Sequence, residues 1–93
     1  MNLKWQINPE VLSSKIDEEA ILMSFEAESY FGLDPVGSRI WELLSKKPVT
    51  ADELVVHLME EYEVNEATCR EDVQRFIDDM LAKKLIQQVP VSA

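Results

Sequence analysis

The hydrophobic period of this chain changes at Asp34-Pro35, and that change constrains the fold more than any other feature. Upstream, apolar residues recur at the strand period of two. In Ile21-Leu22-Met23-Ser24-Phe25 the period puts Ile21, Met23 and Phe25 on one face. Downstream, Val36, Ile40, Leu43 and Leu44 fall at i, i+4, i+7 and i+8, one helical stripe with Trp41 beside it. Asp34 is placed to cap that helix, and Pro35 occupies its first position, where a missing N–H costs nothing. Strands come first and helices follow.

The strand region divides into three. Glu10–Ile16 carries Val11, Leu12 and Ile16 among polar residues, and Asp17-Glu18-Glu19 is a charged break. A second strand runs from Ala20 through Phe25, Ala27-Glu28-Ser29 reads as a tight connection, and Tyr30–Leu33 is a third short strand. Three neighbouring strands with brief turns predict an antiparallel meander.

The helical region is clearly punctuated. Lys46-Lys47 sit in the last turn of the first helix, favourable for its dipole, and Pro48 stops it. Thr50 and Glu53 form a capping box for a second helix, with Leu54, Val55, Leu58, Met59 and Tyr62 as its expected buried face. Asn65 caps a third, with Val64 and Cys69 spaced as a hydrophobic staple. Cys69, Val73, Phe76, Ile77, Met80 and Leu81 then recur at helical spacing up to Lys83-Lys84. Leu85–Val89 reads as a short strand or an extended tail, ended by Pro90. The expected class is α+β and winged helix-turn-helix-like: an N-terminal three-stranded antiparallel sheet followed by three helices. We expect one domain over residues 1–93, with its core from about 3 to 89.

Composition narrows the functions. The chain has 93 residues with only two glycines and four prolines, so no linker divides it. Eighteen acidic against nine basic residues give a net charge of −9. That field repels nucleic acid and anionic membrane surfaces, and is compatible with a basic or neutral peptide partner. Solubility alone is an equally good account of the acidity. Cys69 is the single cysteine, so neither an internal disulfide nor a cysteine-rich metal site is expected. The N-terminus lacks the apolar stretch of a signal peptide, and no apolar run is long enough to span a bilayer. A cytoplasmic protein is expected.

Catalytic chemistry is not in view. His57 falls off the Leu54–Leu58 stripe, and Cys69 lies on the apolar stripe of the third helix, with nothing pairing the two. Two glycines cannot build a phosphate loop, and no calcium or zinc spacing is present. We expect no catalytic residues, no metal ligands and no cofactor. The exposed side of the third helix offers Arg70 and Arg75 against five acids (Glu66, Glu71, Asp72, Asp78 and Asp79), a poor surface for reading DNA.

A meander leaves two sheet edges, and an exposed edge is a template for another strand. The third strand, Ser29–Leu33, leads directly into the first helix. A peptide added there would gain main-chain hydrogen bonds from the edge and specificity from apolar pockets beside it. The plainer alternative is that Tyr30 and Phe31 are core and the tail covers the edge.

The segment Tyr30-Phe31-Gly32-Leu33-Asp34-Pro35-Val36-Gly37-Ser38-Arg39-Ile40-Trp41-Glu42-Leu43-Leu44 resembles the signature of PqqD-like domains, also called RiPP recognition elements. Val49-Thr50 onward, with Leu54, Val55, Leu58 and Tyr62, is similar as well, so the resemblance covers residues 11 to 86. The stand-alone leader-binding proteins of lasso-peptide clusters look nearest. Asp34-Pro35 departs from the family's frequent Asn and non-proline, but both cap a helix.

The resemblance implies a non-catalytic protein that holds the leader of a ribosomally made precursor peptide as an added strand. It implies delivery to a separate leader peptidase, with a cyclase completing the product. Carried onto this chain, the edge is Ser29, Tyr30, Phe31, Gly32 and Leu33, and the helix side is Arg70, Val73, Phe76 and Ile77, with Cys69 near the floor. Gly32 is expected to let a peptide backbone approach closely. Arg70 and Asp72 compete for the groove rim, because periodicity does not say which flank of the helix faces it. Three other readings stand beside this one: a peptide chaperone in quinone cofactor biosynthesis, an acidic winged-helix regulator, and an adaptor. The protein is a monomer in the main reading and an edge-strand dimer in the last.

Overall fold

The computed structural model of the chain describes residues 3–89. The order is β1 (Lys4–Ile7), β2 (Val11–Ile16), β3 (Glu19–Ser24), β4 (Ser29–Gly32), α1 (Pro35–Lys46), β5 (Val49–Thr50), α2 (Ala51–Glu61), α3 (Glu66–Ala82) and β6 (Ile86–Gln88). It is an α+β protein in which an antiparallel meander, β2-β3-β4, precedes three helices. A second antiparallel sheet, β5-β1-β6, was not expected from the sequence. The segment after α3 is therefore a strand rather than a tail. Pro90, expected to end it, lies outside the described residues.

The second sheet closes the domain by joining distant parts of the chain. Trp5 pairs with both Val49 and Gln88, so the strand before the meander ties the α1–α2 junction to the end of α3. Asn8 adds a second tie: its backbone N–H donates to the Leu85 carbonyl at 3.0 Å and its side-chain amide to the Lys84 carbonyl at 2.9 Å. α3 ends in a Schellman turn, with Lys84 in the left-handed region at φ 60°. There the Leu85 N–H donates to the Met80 carbonyl and the Lys84 N–H to the Leu81 carbonyl. Leu85 and Met80, the hydrophobic pair of that motif, are both buried.

The meander's faces are the reverse of what side-chain size suggests. Ile21 and Met23 do share a face, but it is the outer one, half-buried beside exposed Leu12, Ile16 and Tyr30. Phe25 lies beyond β3, exposed in the turn to β4. The core side of β3 is Ala20, Leu22 and Ser24, all buried. A small residue suits position 20 because α1 comes close enough there for the Ser38 hydroxyl to take the Ala20 N–H at 2.7 Å. The break between β2 and β3 is a two-residue turn, Asp17-Glu18, in which Asp17 takes a positive φ that Asp tolerates.

The helices follow their punctuation. Asp34, Thr50 and Asn65 each cap as expected, accepting the backbone N–H of Gly37, Glu53 and Thr68. The Thr50–Glu53 capping box is complete. α2 buries Leu54, Val55 and Leu58, whereas Met59 and Tyr62 are about two-fifths exposed, so its buried face is narrower than the sequence suggests. His57 is half-buried. The buried residues of all three helices and of β2, β3, β5 and β6 form one cluster, with Leu22, Leu54, Val73, Ile77, Met80 and Leu85 at its centre.

Candidate functional site

β4 is the last strand of the meander and has no strand partner on its outer side among the described residues. Its ladder with β3 decides which backbone groups are free. The Leu33 N–H donates to the Ala20 carbonyl at 2.9 Å, and bonded pairs alternate along an antiparallel ladder. Leu33, Phe31 and Ser29 therefore turn their peptide groups toward β3. Tyr30 and Gly32 turn theirs outward. The exposed edge thus offers an N–H and a C=O at each of two alternate residues, the pattern an added strand requires.

Ser38 locks α1 to this edge. Where β4 swings away from β3, the Ser38 hydroxyl bridges the gap, accepting from the Ala20 N–H at 2.7 Å and donating to the Leu33 carbonyl at 3.2 Å. The helix is thereby fixed to the ladder by a side chain that is itself buried.

α3 runs alongside, antiparallel to β4. Near its end, the Lys83 ammonium lies 5.1 Å from the centroid of the half-buried Phe31 ring. Two turns earlier, Phe76 reaches the start of α1, close to Gly37. Beyond the end of β4 lies a cavity of about 620 Å³ between the three helices. Val36 and Ile40 of α1, Leu58 and Tyr62 of α2, and Val64 and Phe76 supply its apolar walls. Cys69 is at the floor, where burial pushes its thiol up and leaves it a poor nucleophile. Asp34, Asp72, Arg75 and Asp79 form the polar part of the lining.

Of the residues singled out from the sequence, Tyr30 is 74% exposed and Gly32 is exposed, while Ser29, Phe31 and Leu33 are half-buried with side chains toward the core. Phe76 and Cys69 line the cavity. Val73 and Ile77 are fully buried behind it and belong to the core. Arg70 stands apart: Asp52 at 2.5 Å and Glu66 at 2.9 Å hold its guanidinium against α2 and raise its pKa. The flank of α3 that meets the cavity carries Cys69, Asp72, Phe76 and Asp79 with Arg75 beside them, so of the two rim candidates it is Asp72 that lies there. The i, i+3, i+7, i+10 spacing of those four was the available signal. The contributions of Asp34, Val36, Gly37, Ile40, Leu58 and Tyr62 had none, because each depends on how the helices cross.

The expected role of Gly32 changes. A β-carbon there would point to the outer face and meet only Ile21 Cδ1, at 3.8 Å. It is the backbone of Gly32, not its missing side chain, that bears on the edge.

Among the described residues no group of histidine, cysteine and carboxylate side chains is placed to hold a metal ion, and no helix is long and apolar enough to cross a membrane.

No curated protein sequence matches the chain significantly. Two solved structures do resemble it. One is described as TbiB1 in complex with the TbiA(β) leader peptide; it is 35% identical, with a TM-score of 0.84, over 92% of this chain and 99% of that one. The other, a lasso peptide synthetase B1 complexed with the leader peptide, is 17% identical with a TM-score of 0.75, over 92% and 98%, and speaks to the fold alone. The family profile described as coenzyme PQQ synthesis protein D matches residues 19–86, from the start of β3 to the start of β6. On that match, and on the 35% identity to TbiB1, the chain belongs to the PqqD family.

Proposed function

We propose that this protein binds the leader segment of a ribosomally synthesised precursor peptide as a strand added to β4, and presents it for lasso-peptide maturation. The observation that carries the reading is the free edge of Tyr30 and Gly32, with an apolar cavity beyond its end beside α3. Main-chain pairing along such an edge supplies affinity without regard to sequence, and the cavity supplies the selection. The likeness to TbiB1, whose structure holds a leader peptide, supports leader binding, and the lasso assignment is our reading of a fold shared with a lasso peptide synthetase B1.

In this reading the protein is non-catalytic. A separate leader peptidase cuts the presented peptide and a cyclase completes the product. The bound strand occupies the β4 edge, so the working form is a monomer with respect to that edge. Ser29–Leu33, Phe76 and Cys69 contact or floor the peptide, Val73 and Ile77 support it from the core, and Asp72 takes the rim position for which Arg70 was the other candidate.

The test is a titration with the synthetic leader of the precursor made alongside this protein, followed by backbone amide shifts. Saturable binding should move the Tyr30 and Gly32 amides and slow their exchange with solvent, with further shifts from Cys69 to Asp79. Mass that rises with concentration in the absence of peptide, with the same two amides protected, would replace leader binding by an edge-strand dimer. Shifts confined to the exposed face of α3 on adding DNA would favour a winged-helix regulator.

A further inference from the structure

The cavity beyond β4 has apolar walls but an uneven rim. Its lining holds three carboxylates, Asp34, Asp72 and Asp79, and one cation, Arg75. That cation neutralises little. It is 72% exposed and divided between Glu71 at 3.8 Å and Asp72 at 3.6 Å, both long contacts. Asp79 is matched by Lys83 at 3.0 Å. Asp34 has no ion-pair partner among the described residues; one of its oxygens takes the Gly37 N–H at 2.7 Å, which spreads its charge into the start of α1. Arg70, the remaining arginine of α3, is held on α2 by Asp52 and Glu66 and does not reach the rim. The balance at the mouth is negative and falls on Asp34 and Asp72. The cations near the groove, Lys83 over Phe31 and Lys84 beside Glu26, sit at its opposite end.

A concave site with low-dielectric walls and one sign of charge at its mouth concentrates the field there. We propose that the cavity selects peptides that place a lysine or arginine next to the apolar side chain filling it, with Asp72 as the specificity-determining carboxylate and Asp34 assisting. The proposal rests on the leader-binding reading and adds the chemical class of leader. It also fixes where the basic residue falls along the edge, at the Leu33 end of β4 and not at the Ser29 end. A charge at the rim of an apolar site adds little affinity compared with burial, but it discriminates strongly between peptides of opposite charge.

The experiment is a selection from a displayed library of random peptides long enough to pair with β4 and reach the cavity. The targets are the wild-type protein, Asp72→Asn, Asp72→Lys and, as a control for net charge, Glu18→Gln in the exposed turn before β3. Peptides enriched on wild type should carry lysine or arginine at a fixed spacing from a bulky apolar residue. Replacing that basic residue by glutamate should weaken binding to wild type about fivefold. The loss should vanish on Asp72→Asn, reverse on Asp72→Lys, and persist on Glu18→Gln. Asp72 is more than half exposed and outside the core, so both variants should fold. Enriched peptides with no basic preference would overturn the proposal and leave leader binding standing, as would Glu18→Gln matching Asp72→Asn. Failure of any peptide to enrich on wild type would overturn both.

Discussion

Phe76 Cε2 lies 3.3 Å from where a β-carbon on Gly37 would sit, and that pair sets how closely α3 approaches the start of α1. The same β-carbon would be 3.1 Å from Asp34 Oδ1, the oxygen that caps the helix. Gly37→Ala therefore has opposing effects. Alanine favours the helix by about 1 kcal/mol over glycine, while the Phe76 ring must give by a few tenths of an ångström. Phe76 is half-buried beside open space, so it gives into the cavity. We expect a change in unfolding free energy within about 1 kcal/mol, together with leader affinity reduced several-fold. Urea denaturation and titration calorimetry on one preparation separate the two. Normal affinity in Gly37→Ala would mean that Phe76 does not shape the binding site.

The Ser38 bridge predicts a larger effect on stability. Removing the hydroxyl in Ser38→Ala leaves the Ala20 N–H and the Leu33 carbonyl facing a buried gap. Abandoning a buried polar group costs about 1–3 kcal/mol, and a total near 2 kcal/mol is expected if the strand end relaxes part-way. The loss should appear as a lower urea midpoint with an unchanged denaturant slope. Faster exchange of the Ala20 amide, beyond that of its neighbours, would locate the defect. A Ser38→Ala protein as stable as wild type would show that the bridge does not hold α1 to β4.

A pH dependence follows from Arg39, which joins α1 to the end of α2. Its guanidinium meets Glu61 through bonds of 2.8–3.1 Å, and the hydrogen bond holds the Glu61 carboxyl below its ordinary value of 4.5. A carboxyl whose pKa is depressed by folding contributes stability above its unfolded value, and that contribution disappears as pH falls through the folded value. Both side chains are roughly one-third exposed, so screening limits the pair to about 0.5 kcal/mol. Glu61→Gln should cost that amount at neutral pH and nothing once pH is well below 4.5. Urea midpoints of both proteins at the two pH values measure the difference directly. A gap that persisted in acid would point to packing by the side-chain stem instead of charge.

Local chemistry was legible in the sequence wherever one residue acts on its neighbours. The caps at Asp34, Thr50 and Asn65 are side chains bonding backbone three residues away, and each formed as its spacing implies. The meander and three helices followed from period and punctuation. What escaped was non-local. β1 is four residues long, carries no clean alternation, and exists because Val49 and Gln88 come to it from far along the chain. Which face of β3 turns inward depends on α1 packing on it, with Ser38 bonding the Ala20 N–H from eighteen residues away, and this leaves Ile21 and Met23 on the outer face. For the groove, the edge strand could be singled out from the residues themselves, and Phe76 only through the family resemblance. The choice between Arg70 and Asp72 could not, because it depends on Asp52 reaching across from α2 to take Arg70.

The alternation of backbone groups along β4 gives the sharpest test of the edge. The Tyr30 N–H points outward, so proline at position 30 removes a donor from the free edge and none from the β3 ladder. The Phe31 N–H points inward, so proline at position 31 breaks the ladder itself. Tyr30 is three-quarters exposed, and little packing is lost with its ring. Tyr30→Pro should therefore keep a cooperative unfolding transition, within about 1 kcal/mol of wild type, while leader binding falls at least tenfold through loss of a main-chain hydrogen bond and local pairing geometry. Phe31→Pro should lose about 3 kcal/mol or more and fail to fold well enough to assay. Tyr30→Ala, which removes the ring and keeps the N–H, separates the donor from the side chain and should bind leader far better than Tyr30→Pro. Equal binding by Tyr30→Pro and wild type would exclude strand addition at β4 and move the peptide to the cavity alone.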